Sequence, residues 1–510
     1  MFMLTKKFFV LSLFISFGTF LFSPISILAQ EFSFFKSQEI GGLPGAVFTA
    51  IADFNNDSNL DLAIASSHLS SNSIFLGNGN GLFVPIGFPI GKDTLSITVN
   101  DFNEDGNLDL ATANWGSNII SILIGNGDGS FVDSADIELL GFLNYGTWPF
   151  SIKSGDFNND GHIDLVEAND HERTISVLLG DGNGSFSSPR YLIVSSSGDI
   201  VPRAGGIRAI DVGDFNKDGN LDIAAVSFDE GRVFIFLGDG YGNFSIPSSF
   251  GAGVWPRSIS IADLNKDGNS DLIIGGDFYK RTIVLLGDGN GLFPDSKIFS
   301  NIGNLPLSIS IVDLDQDSNL DLISPNYLNR AVDIIAGDGL GNFIGTINSF
   351  ITNANPRGAS TGDFNKDGLP DLAIANQGSG SVSILINNSF LKVFIDIKPD
   401  GFPNCINLKS KGLTPVVILG STVFNVKTVN PATIKFAGIP VALKKNGESF
   451  TSFEDVNGDN ITDLVLHFDT TKFLLNGNET SAALTGNLFS GRSIKGSDGV
   501  CFTKAGFCCG

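Results

Sequence analysis

In DFNEDGNLD, residues 101–109, side-chain oxygens stand at the first, third, fifth and ninth positions, on Asp101, Asn103, Asp105 and Asp109. Gly106 is sixth, where the backbone must turn sharply, and Asn107 is seventh, where a backbone carbonyl can join the set. That arrangement is an oxygen-only cage. Ca²⁺ takes six to eight oxygens at about 2.3–2.6 Å, mixing carboxylates, amide carbonyls, a backbone carbonyl and water. The EF-hand shares the first half of the pattern but ends in Glu at position twelve between helices. Here the ninth-position Asp opens the apolar run 108–113, LDLATA, which reads as a strand.

The phrase begins at Asp53, Asp101, Asp156, Asp214, Asp263, Asp313 and Asp363, about 50 to 60 residues apart, the period of propeller blades. An eighth copy, DVNGDNITD from Asp455, is out of step and belongs to another domain. Asp and Asn are common in turns without metal. About three carboxylates crowded into one loop, however, repel one another in a way that a divalent ion relieves and a bare turn does not.

The elements that must position these loops are short strands. A strand precedes each phrase (96–102), a second follows it, and a third (119–124) leads to a Gly-rich turn and a fourth, giving one four-stranded unit per period. The turns, such as LGDGNGSF (179–186), contain GxGxG, but a strand rather than a helix follows the glycines. Hairpin turns needing positive φ therefore account for them better than dinucleotide binding. The seventh period lacks this turn and its fourth strand, and EFSFFKSQEI (31–40) resembles the fourth strand of the other units. This N-terminal strand is expected to complete the seventh sheet and close the ring, leaving no open edge.

The phrase in its strand setting resembles the FG-GAP or VCBS repeats of the integrin α-subunit propeller and of many secreted bacterial proteins, over about residues 31–390. The resemblance implies an all-β, seven-bladed β-propeller (30–391) with structural Ca²⁺ in the loop between the first two strands of each blade. The ligands it implies, the seventh position acting through its carbonyl, are Asp53, Asn55, Asp57, Asn59 and Asp61; then Asp101, Asn103, Asp105, Asn107 and Asp109; then Asp156, Asn158, Asp160, His162 and Asp164. The later blades supply Asp214, Asn216, Asp218, Asn220 and Asp222; Asp263, Asn265, Asp267, Asn269 and Asp271; Asp313, Asp315, Asp317, Asn319 and Asp321; and Asp363, Asn365, Asp367, Leu369 and Asp371. The calcium-like loop outside the array adds Asp455, Asn457, Asp459, Ile461 and Asp463. Position six is Ser58 or Ser318 in two loops, which a left-handed backbone tolerates at about 1 kcal/mol, so weaker sites are expected there.

Residues 392–510 resemble a C-terminal module of secreted prokaryotic proteins, and their alternating apolar pattern suggests a small β-sandwich. All four cysteines lie here, Cys405, Cys501, Cys508 and Cys509. Four allow three connectivities, and Cys405 with Cys501 is preferred because adjacent cysteines rarely bond each other.

Lys6 and Lys7, the apolar run 8–22, Pro24 and the small-residue site 27–29 read as a secretory signal peptide, 1–29. The run is shorter than the ~20 residues of a membrane span, so cleavage is expected in preference to anchoring. The expected location is secreted, periplasmic or cell-surface, and the expected state a monomer. A net charge of −23 argues against a nucleic-acid partner, because phosphates want Lys and Arg.

Four histidines and no GxSxG or HExxH pattern argue against an enzyme, although propellers do host polysaccharide lyases and hydrolases. Binding or adhesion, to a protein or glycan at or outside the cell surface, is the expected role. The resemblance to this propeller family implies that the binding surface is the face opposite the calcium loops. Its linkers carry Trp148, Trp255, Arg257 and Arg357, and its second-to-third-strand loops carry His68, Trp115, His171, Tyr279 and Tyr327. Each aromatic there has the alternative role of capping a blade interior.

Overall fold

The computed structural model describes residues 32–68, 73–86, 93–141, 146–195, 206–276, 279–300, 302, 305–399, 404–421, 424–473, 479–489 and 493–502. The signal-peptide segment, Cys508 and Cys509 lie outside them.

Among the described residues, seven four-stranded antiparallel sheets come first. In each, the strand after the acidic phrase lies second from the inside and is wholly buried, as in Asp61–Ser66, Asp109–Asn114 and Asp164–Asn169. Both faces of these strands are covered because sheets stack on sheets. Seven apolar clusters lie between neighbouring sheets, for example Phe102, Ile120 and Ile122 of the second against Ile152, Leu165 and Leu178 of the third. Each innermost strand packs on its neighbours, and the first, Ala46–Ala52, packs on the last, Pro356–Gly362. The sheets thus form a closed propeller.

Closure is made as the sequence suggests. Phe34–Gly41 pairs antiparallel with Ser381–Asn387 and forms the outer edge of the last sheet. Gln38 of the same strand exchanges two hydrogen bonds with the backbone of Phe83, the outer strand of the first sheet. Phe32 and Ile40 are buried beneath it.

In the C-terminal domain, a four-stranded sheet containing Leu413–Ile418 and Asp463–Asp469 and a five-stranded one containing Val429–Phe436 and Ser481–Leu488 share one apolar core. Cys405 is disulfide-bonded, and Cys501 is its backbone neighbour across the parallel pair Cys405–Ile406 and Cys501–Phe502. No helix among the described residues is long and apolar enough to cross a membrane.

Candidate functional sites: the acidic loops and the channel mouth

The loops share one hydrogen-bond pattern. In the second sheet the N–H of Asp105 donates to Asp101 Oδ1 (3.2 Å) and Asn103 Oδ1 (3.1 Å), and Gly106 N–H donates to Asp101 Oδ2 (2.8 Å). Asn107 N–H donates to Asp105 Oδ1 at 2.8 Å. The first, third and fifth oxygens are thereby drawn to one side of the turn. Position six is left-handed throughout, including Ser58 (φ 65°), Ser318 (φ 70°) and Asn460 (φ 67°). Position four is left-handed too, on Asn56, Glu104, Asn159, Lys217, Lys266, Gln316 and Lys366, which the sequence reading missed. Its signal was Gly458 at that place in the eighth copy.

The ninth-position Asp is fully buried, and both its oxygens accept backbone N–H groups. Asp109 takes Phe102 N–H at 2.8 Å and Gly125 N–H at 2.7 Å. The same pair of bonds recurs at Asp61, Asp164, Asp222, Asp271, Asp321 and Asp371. This residue therefore fastens the loop to the end of the third strand. Gly125 is needed there, since a Cβ would lie 2.2 Å from Leu108 O.

Each Gly-rich turn clamps the loop of the preceding sheet: Gly129 N–H donates to Phe54 O and Gly184 N–H to Phe102 O, both at 2.9 Å. Phe83, Phe131, Phe186 and Phe293, each following such a turn, meet the Phe of that loop edge-on, Phe131 lying 5.6 Å from Phe54. The ring closes with Gly81 N–H on Phe364 O. The last sheet lacks the turn, and Asn387 Nδ2 makes the equivalent bond to Leu314 O.

Position-four side chains extend this belt to position seven of the next loop, Asn56 to Asn107 (3.1 Å), Asn159 to Asn220 (2.7 Å) and Lys266 to Asn319 (2.8 Å). His162, expected to contribute only its carbonyl, also places Nδ1 2.6 Å from Glu104 Oε1. That hydrogen bond raises the imidazole pKa.

The donor set fits a hard cation. It is all oxygen, and Asp214 Oδ1 is buried with no hydrogen-bond donor. Carboxylate oxygens of Asp313, Asp315 and Asp317 lie within 4.8 Å of one another. Burial, opposed by the backbone bonds but aided by neighbouring loop carboxylates, pushes Asp61, Asp164, Asp222 and Asp271 up to about 6 and Asp371 to about 7. Asp321, buried beside Asp315, reaches about 8. The eighth loop repeats the geometry on a different fold, with Asp463 holding Val456 N–H and Gly420 N–H, the latter from the adjacent strand.

One consequence is testable. Asp109→Ala strands two buried N–H groups at about 1–3 kcal/mol each, whereas Asp105→Ala removes an exposed carboxylate. In EDTA, Asp109→Ala is expected to lower the melting temperature several-fold more than Asp105→Ala. Equal shifts in metal-free protein would show that the ninth position is not a fastener.

On the opposite face a cavity of about 490 Å³ is lined by His68, Trp115, Arg257, Tyr327 and Arg357 of the expected set, together with Phe150, Asp170 and Arg208, which were missed. It continues into a channel of about 480 Å³ along the innermost strands. Trp148 lies behind Trp115 (5.5 Å) and against His171 (4.5 Å). Trp255 stacks on Phe228 outside the cavity, and Tyr279 is exposed beside Arg281, so neither joins the lining. Arg208 carried a readable signal: it precedes Asp214 by six residues, as Arg257 precedes Asp263 and Arg357 precedes Asp363.

No curated protein matches the chain. Among solved structures it is similar to BBS1N in complex with ARL6DN (TM-score 0.49, 13% identity, 69% of this chain and 96% of that one). It is also similar to an Agrocybe aegerita lectin described as recognising non-reducing terminal N-acetylglucosamine (TM-score 0.44, 19% identity, 66% and 86%). The FG-GAP-like repeat family matches residues 53–112, 101–167, 156–225 and 214–274, and the FG-GAP repeat family matches 355–385. With these repeats threaded through a closed array of four-stranded sheets, the part of the chain ahead of the C-terminal sheets is a β-propeller built of FG-GAP-like repeats.

Proposed function

We propose that this is an exported, calcium-stabilised propeller that acts as a binding or adhesion protein, not an enzyme, with a protein or glycan ligand seated at the channel mouth. Calcium would be held by the first-, third-, fifth- and ninth-position side chains and the seventh-position carbonyl of each loop. Bound there, it would neutralise carboxylates that otherwise face one another. The observation that supports binding is the cavity itself. Trp115 is 40% exposed at its wall, and three arginines converge beside it. Exposed aromatic and Arg side chains in a concavity supply contact area and directed donors at low entropic cost.

A second reading, a polysaccharide lyase or hydrolase, draws support from His68, Asp170 and Tyr327, three titratable groups in the same cavity. A glycan array and a polysaccharide-degradation assay on one preparation separate the two. Retention of a ligand without new reducing ends or unsaturated products is expected. Turnover would overturn the binding reading in favour of the enzyme.

A further inference from the structure

Seven equivalent positions ring the channel mouth, each six residues ahead of its loop: Val47, Leu95, Phe150, Arg208, Arg257, Leu307 and Arg357. Three are arginines, in a protein whose net charge is −23. Asp170 is the one carboxylate among the described residues of the cavity lining, and it pairs with Arg208 at 3.3 Å. Among the described residues, neither Arg257 nor Arg357 has an ion pair.

Aromatic faces hold the guanidinium groups instead. Phe228 lies 4.0 Å from Arg208 Cζ and 4.8 Å from Arg257 Cζ, and Phe150 lies 5.6 Å from Arg208 Cζ and 5.9 Å from Arg357 Cζ. A ring face stabilises a cation without using any of its N–H donors. The forks of Arg257 and Arg357 are therefore positioned but not consumed. Burial, with the neighbouring arginines adding to it and Tyr327 opposing it, brings both down to about 10, so both stay charged at neutral pH.

We propose that the channel mouth binds an acidic saccharide, its anionic groups taken by Arg257 and Arg357 with Arg208 behind them, and a sugar face laid on Trp115 or Tyr327. This rests on the binding reading above and names its ligand class. Guanidinium forks match carboxylate and sulfate oxygens two at a time. The exposed indole of Trp115, backed by Trp148, offers the flat apolar surface that a pyranose C–H face covers. An acidic peptide would use the arginines but has less need of that surface.

The test is titration of the calcium-loaded protein, freed of excess ion, with a short oligogalacturonate, its carboxyl-reduced counterpart, a sulfated oligosaccharide and oligoglutamate, following tryptophan fluorescence and heat. Binding of the uronate or the sulfated sugar, weakened by rising salt and absent for the carboxyl-reduced sugar, is expected, and the two probes tell which anion is preferred. Arg257→Gln and Arg357→Gln should each weaken it about ten- to hundredfold, with melting temperature unchanged and partial recovery in the Lys variants. Should a Gln variant fail to fold, the salt series on the unaltered protein decides. Equal binding of the carboxyl-reduced sugar would overturn the acidic specificity while leaving glycan binding intact. Binding of oligoglutamate alone would overturn the saccharide while leaving a protein-binding role. No binding of any probe would overturn the inference, and the array above then judges the broader reading separately.

Discussion

Stripping calcium with EDTA is expected to lower the melting temperature by tens of degrees or abolish cooperative melting. Each ion bound only by the folded state adds about 2.7 kcal/mol at a hundredfold excess over its Kd. The usual margin of a domain is about 5–15 kcal/mol, and seven propeller loops share the ligand pattern, so several emptied together outweigh it. The belt from each loop to the next makes the losses mutual, because a loosened loop releases the Gly-rich turn that grips it.

Acid should act oppositely on the two forms. In the metal-free protein burial penalises the charge of the ninth-position carboxyls Asp61, Asp164, Asp222, Asp271, Asp321 and Asp371 and pushes them up to about 6 to 8, well above the usual 3.8. A raised carboxyl pKa means that the folded state holds the proton more tightly than the unfolded chain. Their contribution to metal-free stability is therefore fully present below about pH 4 and is lost as pH rises through those values. With calcium in excess, protons compete with the ion for the same oxygens, so acid destabilises. Melting curves at pH 5 and pH 7.5, with and without EDTA, should cross. Parallel pH dependence in the two series, or an unchanged melting curve after metal analysis shows the ions gone, would refute a structural role for calcium.

The loops and the sheet architecture were legible because both are periodic. A repeated DFNxDGNLD fixes turn geometry through its own side chains, and apolar runs of strand length on either side fix the elements that carry it. What escaped reading depends on neighbours. Position four adopts a left-handed backbone on Lys, Glu and Gln, types that do not announce it, since the payoff is a contact with the next loop rather than a local preference. Asp170, Phe150 and Phe228 gain their roles only when non-adjacent loops meet at the channel mouth. Glu167 is a further case: it stands where other sheets have Ile, Thr, Ala or Ser, is fully buried, and has its pKa pushed to about 8 by burial. It accepts hydrogen bonds from Ser176 Oγ and Phe150 N–H, supporting the channel wall in a way no local pattern records.

Removing residues 32–41 while leaving the rest of the chain intact is expected to lower the melting temperature by on the order of 10 °C and to promote association. Phe32 and Ile40 are 6% and 5% exposed, and burial of each such side chain contributes about 1.5–3 kcal/mol. At about 2–4 °C per kcal/mol for a mid-sized domain, their loss alone approaches that shift. The strand Ser381–Asn387, wholly buried in the intact protein, would become an open apolar edge, the feature that templates pairing between chains. The bonds from Gln38 to Phe83 would go with it, freeing the last sheet from the first. Exchanging Gln38 for Ala separates the two contributions: it removes the link to the first sheet but keeps the edge covered, so it should destabilise modestly without association. Melting curves and light scattering on both variants check this. A truncated protein that melts as the intact one does and associates no more than it does would show that the ring is held by its inner strands alone.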